Sequence, residues 1–206
     1  MLKIGLTGPS GSGKTTIANF ITQEVRKELT FIPGSAGLMH YPESKNILEE
    51  KYGYLGQGHK AVINLSNSNP EFGYDFQFML LKARREALTK NINFVTDRTP
   101  IDNLAYFLMQ CSHNQTESVT KDYIEYAQEA FTQLTHLFIL KPNENWTEMN
   151  GSRVANNYYQ HMTYGVFINT YKRYFEDIAQ DFRIRVVIID DWNLDYRKAV
   201  VKHNLT

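Results

Sequence analysis

Gly8-Pro9-Ser10-Gly11-Ser12-Gly13-Lys14-Thr15 fills every fixed position of the pattern G-x-x-x-x-G-K-[ST]. Its surroundings give the match its meaning. The apolar run Leu2-Lys3-Ile4-Gly5-Leu6-Thr7 stands directly before it, and a helical pattern from Thr16 to Leu29 follows. Strand, glycine-rich loop and helix in that order make a phosphate cradle: the loop amides wrap the β-phosphate, Lys14 reaches the β/γ oxygens, and Thr15 offers its hydroxyl to Mg²⁺. The helix N-terminus adds unpaired N–H donors and a favourable dipole. The expected contacts to a nucleoside triphosphate, read as ATP, are Gly8, Ser10, Gly11, Ser12, Gly13, Lys14, Thr15 and Thr16.

Outward from this loop, short apolar and β-branched runs recur at Leu2–Leu6, Leu29–Ile32, Ile92–Thr96, Leu137–Leu140 and Arg185–Ile189. Helical patterns separate them, at Lys14–Lys27, Lys45–Tyr52, Tyr74–Thr89, Pro100–Met109, Lys121–Gln133, Tyr158–Phe182 and Asp195–His203. Such alternation predicts an α/β fold, a three-layer α/β/α sandwich around a five-stranded, mainly parallel sheet. With 206 residues and no internal repeat, one domain over residues 1–206 is the simplest organisation. Thr120-Lys121-Asp122 reads as a helix start, and Pro100 suits a first-turn position. Gly34–Ser44, Gly53–Pro70, Ser112–Thr120 and Asn143–Asn157 read as long loops of the kind that cover a ligand. In a parallel sheet the phosphate loop, the segment after Pro33, Asp97-Arg98 and Lys141 fall on one edge, where open α/β sheets bind ligands.

Lys and Arg balance Asp and Glu, 22 against 22, so no global field marks a polyanion or membrane partner. A local basic groove remains compatible with that total. The single Cys111 excludes an internal disulfide and fits a reducing compartment. A strand begins within two residues of Met1, leaving no room for a signal peptide. No apolar run approaches the ~20 residues of a membrane span. The expectation is a soluble, cytoplasmic protein. The six histidines are scattered without ligand spacing, and Mg²⁺ with the nucleotide is the metal implied.

The second motif is Asp97-Arg98, at the tip of the strand Ile92–Thr96. A carboxylate in such a place is costly to bury without a partner. In phosphate-loop proteins it meets the Mg²⁺ shell or the attacking hydroxyl, so Asp97 and Thr15 are the expected metal residues. The bland alternative makes Asp97 a helix N-cap paired with Arg98.

Phosphate loop and Asp-Arg together resemble the nucleoside and nucleoside-monophosphate kinases, thymidylate and deoxynucleoside kinases among them. The string Phe94-Val95-Thr96-Asp97-Arg98-Thr99-Pro100-Ile101-Asp102-Asn103-Leu104-Ala105-Tyr106 is similar to a branch of small kinases that includes nicotinamide-riboside kinases and phage-encoded relatives. For a phage-encoded chain the compartment would be the host cytoplasm. The resemblance implies that Asp97 acts as general base or metal-shell carboxylate and that Arg98 contacts acceptor or phosphates. One departure stands out. Related kinases often carry an acid soon after the second strand, whereas Phe31-Ile32-Pro33-Gly34-Ser35-Ala36-Gly37 has no carboxylate before Glu43.

The resemblance also implies a lid at about residues 141–158, with Arg153 of Gly151-Ser152-Arg153 closing on the transferring phosphoryl group. Lys14, Asp97, Arg98 and Arg153 form the expected catalytic set. Gln77 and Arg84 lie seven residues apart on one helical face, and related kinases use such a pair over the acceptor. Phe76 or Phe72 would offer a stacking surface, and Trp192 after the last strand would meet adenine. Three activities fit: a kinase for a nucleoside, nucleotide or related acceptor; a phage-type kinase for a hydroxymethylated base in DNA; and a nucleotide-binding switch or slow NTPase.

Overall fold

The computed structural model describes residues 1–34, 42–54, 59–143 and 157–206. Its strands are β1 (Lys3–Thr7), β2 (Thr30–Ile32), β3 (Phe94–Thr96), β4 (His136–Leu140) and β5 (Arg185–Ile189). They form one sheet in the order β2-β3-β1-β4-β5. Every pairing is parallel: Ile4 sits opposite Val95 and His136, Phe31 opposite Val95, and Leu137 opposite Val186.

Period-two alternation divides the strand side chains between two cores. Phe94, Leu137 and Ile139 face one layer, with Leu81, Ile101, Leu104, Phe107, Tyr123, Phe131 and Phe175. Ile4, Leu6, Val95, Phe138 and Leu140 face the other, with Ile17, Ile21, Val201 and Leu205. Both faces of β1, β3 and β4 are buried, which is why these strands read as continuous apolar runs rather than alternating ones.

The helices are α1 (Lys14–Phe20), α2 (Pro42–Tyr52), α3 (His59–Ser68), α4 (Pro70–Lys90), α5 (Pro100–Gln110), α6 (Glu117–Phe131), α7 (Asn157–Tyr174), α8 (Glu176–Asp181) and α9 (Leu194–Leu205). Helix α1 ends sooner than its pattern suggests, passing into a π-helical turn at Ile21–Val25. Arg26 terminates it at φ −139°, and its Nε donates to Leu205 O at the end of α9 (3.0 Å). The expected helix 158–182 divides at Phe175, which leaves helical dihedrals (φ −130°) and buries its ring edge-on against Phe131, centroids 4.9 Å apart.

Two of the expected loops are largely helical. Within 53–70 lies α3, whose Val62 joins Leu48, Tyr54, Phe72, Phe76 and Leu80 in a separate aromatic-rich core with α2 and α4. Asn69 then caps α4, accepting from Glu71 N (3.1 Å) and Phe72 N (3.2 Å), with Pro70 in the first turn. Helix α6 starts at Glu117 rather than Lys121 because Thr116 is its cap, accepting from Val119 N at 3.3 Å. Among the described residues no helix is long and apolar enough to cross a membrane.

Candidate active site

The strand C-termini deliver four pieces to one sheet edge. Gly8, at φ 152°, opens the phosphate loop after β1, and a Cβ there would meet Leu140 O at 2.5 Å. Only glycine permits both the dihedral and the approach to β4. Gly13 precedes α1 in a left-handed conformation, φ 80°. Ser12 is buried, Ser10 and Gly11 are partly exposed, and Thr15 and Thr16 lie exposed on the first turn. Lys14 folds back across its own loop: its ammonium donates to Gly8 O (2.6 Å), Pro9 O (2.7 Å) and Ser12 Oγ (3.3 Å).

Across the edge, β3 presents Asp97. Thr15 Oγ1 donates to Asp97 Oδ2 at 2.6 Å, bridging α1 and β3. The other oxygen, Oδ1, is buried without a hydrogen-bond partner among the described residues. Gly34, just after β2, leaves it that space, since a Cβ on Gly34 would collide with Asp97 Oδ1 and would stand 2.5 Å from Arg98 Cγ. A carboxylate oxygen left unpaired in a protein costs about 1–3 kcal/mol or more, so it marks a place where a ligand or cation belongs. A hydroxyl beside a carboxylate is a hard oxygen donor set, which fits Mg²⁺.

Arg98 points elsewhere. Its Nη1 pairs with Asp102 Oδ1 at 3.0 Å, and its guanidinium lies 5.5 Å from the Tyr106 ring centroid. Burial works against its charge, but Tyr106 and Asp102 outweigh that and hold its pKa above the ordinary arginine value. Asp102 is 2% exposed and organises the whole turn. Its Oδ2 accepts from Thr99 N (2.9 Å), Thr99 Oγ1 (3.1 Å) and Thr7 Oγ1 (2.9 Å). Thr99, not Asp97, is therefore the cap of α5, in a reciprocal box with Asp102. Asp97 is thereby left to face the phosphate loop.

Arg84 of α4 is buried with Nε on Asn103 Oδ1 (2.7 Å) and Nη1 on Arg98 O (2.7 Å), so it braces the Asp-Arg turn from behind. Gln77 is also buried; its side-chain amide nitrogen reaches Gln110 Oε1 at 3.4 Å, and its backbone carbonyl accepts from Tyr123 OH at 3.1 Å. Phe76 lies in the α2–α3–α4 core, centroids 5.7 Å from Phe72 and 5.6 Å from Tyr54, so most of its ring is spent on packing. Trp192, 45% exposed, lines a cavity of about 650 Å³ with Lys141, Asp190, Asp191 and Tyr196. Tyr164 of α7 donates to Asp190 Oδ1 at that mouth (2.7 Å). Arg153 lies outside the described residues.

A family model described as an AAA domain matches residues 3–195. The chain belongs to that AAA-domain family. No curated protein matches its sequence. Among solved structures, this AAA-domain protein is similar to deoxyadenosine kinase from M. mycoides with bound dCTP. That match has a TM-score of 0.59 at 14% identity and covers 99% of this chain and 98% of the other. The same enzyme with bound dATP matches with TM-score 0.59 at 15% identity, covering 99% of each chain. Thymidylate kinase from Ehrlichia chaffeensis matches with TM-score 0.52 at 19% identity, covering 99% of this chain and 97% of the other. The α/β fold expected for such kinases is thus the fold observed, over nearly the whole chain.

Reading the sequence alone missed three residues of this AAA-domain site. Thr99-Pro100-Ile101-Asp102 carries the [ST]-x-x-[DE] helix-start signature, which would have identified Asp102. Asn103, the partner of Arg84, carries no such signal. Arg197 of α9 is 3% exposed and donates to Ser12 O, Lys141 O and Asp191 O. Nothing in the local pattern of α9 announces it.

Proposed function

We propose that this AAA-domain protein is an ATP-dependent kinase that transfers the γ-phosphoryl group to a hydroxyl or phosphate of a nucleoside, nucleotide or related small acceptor. The observation that carries the reading is the Thr15–Asp97 bridge at 2.6 Å, with Asp97 Oδ1 buried, without a hydrogen-bond partner among the described residues and beside Gly34. A slow switch needs a cradle, a metal hydroxyl and a strand-tip carboxylate for the metal, but no second carboxylate oxygen kept for an acceptor. A strand-tip carboxylate with a free oxygen beside Gly34 is what a transferase needs to orient an attacking hydroxyl.

On this reading Lys14 exchanges its loop carbonyls for β/γ-phosphate oxygens, and the loop amides hold the donor in line. Thr15 and Asp97 would hold Mg²⁺, which supplies charge neutralisation at the phosphate oxygens. Asp97 Oδ1 accepts the acceptor's hydroxyl proton. The acceptor oxygen bonds to the γ-phosphorus as the β–γ bridging bond breaks, and ADP leaves. Arg98 and Arg84 act through the shape of the Asp97 turn, and Gln77, on the same α4 face as Arg84, would contact the acceptor by giving up its Gln110 partner. Trp192 offers the donor base a flat wall. Residues 1–206 work as one catalytic unit, and the lid at 141–158 with Arg153 belongs to this reading on the strength of the sequence.

A mass-spectrometric transfer screen tests it, offering ATP·Mg²⁺ with nucleosides, nucleoside monophosphates, nicotinamide riboside and DNA bearing hydroxymethylated bases. The expected outcome is one phosphate added to a small acceptor by the wild type and none by Lys14→Ala. Phosphate added to the DNA alone would move the acceptor to the polymer. ATP hydrolysis with no acceptor modified would favour the switch.

A further inference from the structure

Arg197 reaches three separate parts of the described site region from a single buried guanidinium. Its Nη1 donates to Ser12 O in the phosphate loop (2.5 Å), Nη2 to Lys141 O beyond β4 (2.6 Å) and Nε to Asp191 O beyond β5 (2.6 Å). The fork geometry of arginine serves all three at once, and a lysine ammonium on a flexible stem cannot. A Cβ on Gly13 would stand 3.6 Å from Nη1, so the cation lies directly behind the loop.

We infer that Arg197 is a positioning residue for the phosphate cradle. Its guanidinium pins the Ser12 carbonyl outward, which aims the Gly13 N–H into the cradle and binds the loop to the base-side cavity. The reason is peptide geometry. The Ser12–Gly13 bond is trans, as is every peptide bond described. In a trans peptide the C=O of one residue and the N–H of the next point in opposite directions. Anchoring Ser12 O on the α9 side therefore directs Gly13 N–H to the opposite side, where α1 begins and phosphate would sit. Charge-assisted donation to the carbonyl also polarises that N–H, strengthening it as a phosphate donor. The Lys141 and Asp191 contacts extend the same anchor to the rim of the cavity containing Trp192. The triphosphate end and the base end of the donor site thus share one fixed point.

This inference rests on the reading of Gly8–Thr15 as a phosphate cradle, and the test separates the two. Binding of ATP·Mg²⁺ and of inorganic tripolyphosphate is measured by calorimetry for wild type, Arg197→Lys and Arg197→Ala, the last with and without added guanidinium ion. The Gly13 amide is followed by ¹H–¹⁵N correlation. The expected result is a loss of about tenfold to a hundredfold in affinity for both ligands in Arg197→Ala, matching one or two lost charge-assisted bonds. Guanidinium ion should restore most of it and return the Gly13 amide toward its wild-type shift. Arg197→Lys should fall between, since it keeps the charge and loses the fork. Wild-type affinity in Arg197→Ala overturns the inference, as does a loss in a folded variant that guanidinium fails to reverse. If the alanine variant does not fold, Arg197→Lys decides: an unchanged affinity and Gly13 shift overturn it. A wild type that binds neither ligand overturns the cradle reading itself, and this inference with it.

Discussion

Asp97 shows how much one residue's surroundings settle. Its place at the tip of β3 was legible in sequence from an apolar strand ending in an acid. Which of its neighbours would neutralise it was not, because Arg98 is adjacent in sequence yet pairs with Asp102. The result is a carboxylate braced by Thr15 and open at Oδ1. Asp97→Asn keeps the shape and removes the proton acceptor, so kcat should fall about a hundredfold or more, with a much smaller change in KM for the acceptor; steady-state kinetics check this. Cys111 gives a prediction with pH. Burial pushes its thiol up from 9.0 to about 11, so the native state holds its proton where the unfolded chain has lost it. Stability should therefore fall as pH rises between about 9 and 11. Cys111→Ala should flatten that part of the curve in denaturant titrations at several pH values.

The elements differ in how clearly they announce themselves. Five strands were visible as apolar, β-branched runs, the central β1, β3 and β4 because both their faces are buried, and Arg185–Ile189 matched to the residue. The starts of α4 and α6 were harder, because Asn69 and Thr116 act through side-chain bonds to the backbone rather than through apolar periodicity, whereas Pro100 marked the start of α5. Helix α3 was hidden by Asn, Ser and β-branched residues, which lower local propensity, and is held by packing of Val62 on the α4 aromatics. These caps are not equivalent. Asn69→Ala removes a partly exposed cap and should cost about 1 kcal/mol with kinetics unchanged. Asp102→Asn removes a buried partner of Arg98 as well as the α5 box, and should cost about 3 kcal/mol or more while also displacing Asp97. Chemical denaturation of both variants, paired with turnover, separates the two effects.

On the scale of the whole molecule, strand order β2-β3-β1-β4-β5 gathers the loop after β1, Gly34, Asp97, Lys141 and Asp190 on one edge, as parallel topology requires. That gathering was legible; the tie made by Arg197 was not, because it joins residues 185 positions apart through backbone carbonyls that carry no sequence signal. Helices α2 and α3 add a wall over α4 with a core of its own; the sequence pattern announced α2 at Lys45–Tyr52 but offered only a loop for α3. Charge balance, 22 against 22, gives this protein no global basic field of the kind that draws in a polyanion. Unmodified duplex DNA at low salt should accordingly leave transfer to a small acceptor unchanged, which a competition assay reads directly.

The most direct test of a kinase centred on Lys14 and Asp97 is phosphoryl transfer from ATP·Mg²⁺ to a panel of nucleosides and nucleotides, followed by product mass for wild type, Lys14→Ala and Asp97→Asn. One small acceptor gaining a single phosphate with the wild type, and little or none with either variant, is the result expected here. ATP bound but no acceptor phosphorylated, or transfer that persists in Asp97→Asn at the wild-type rate, would contradict it.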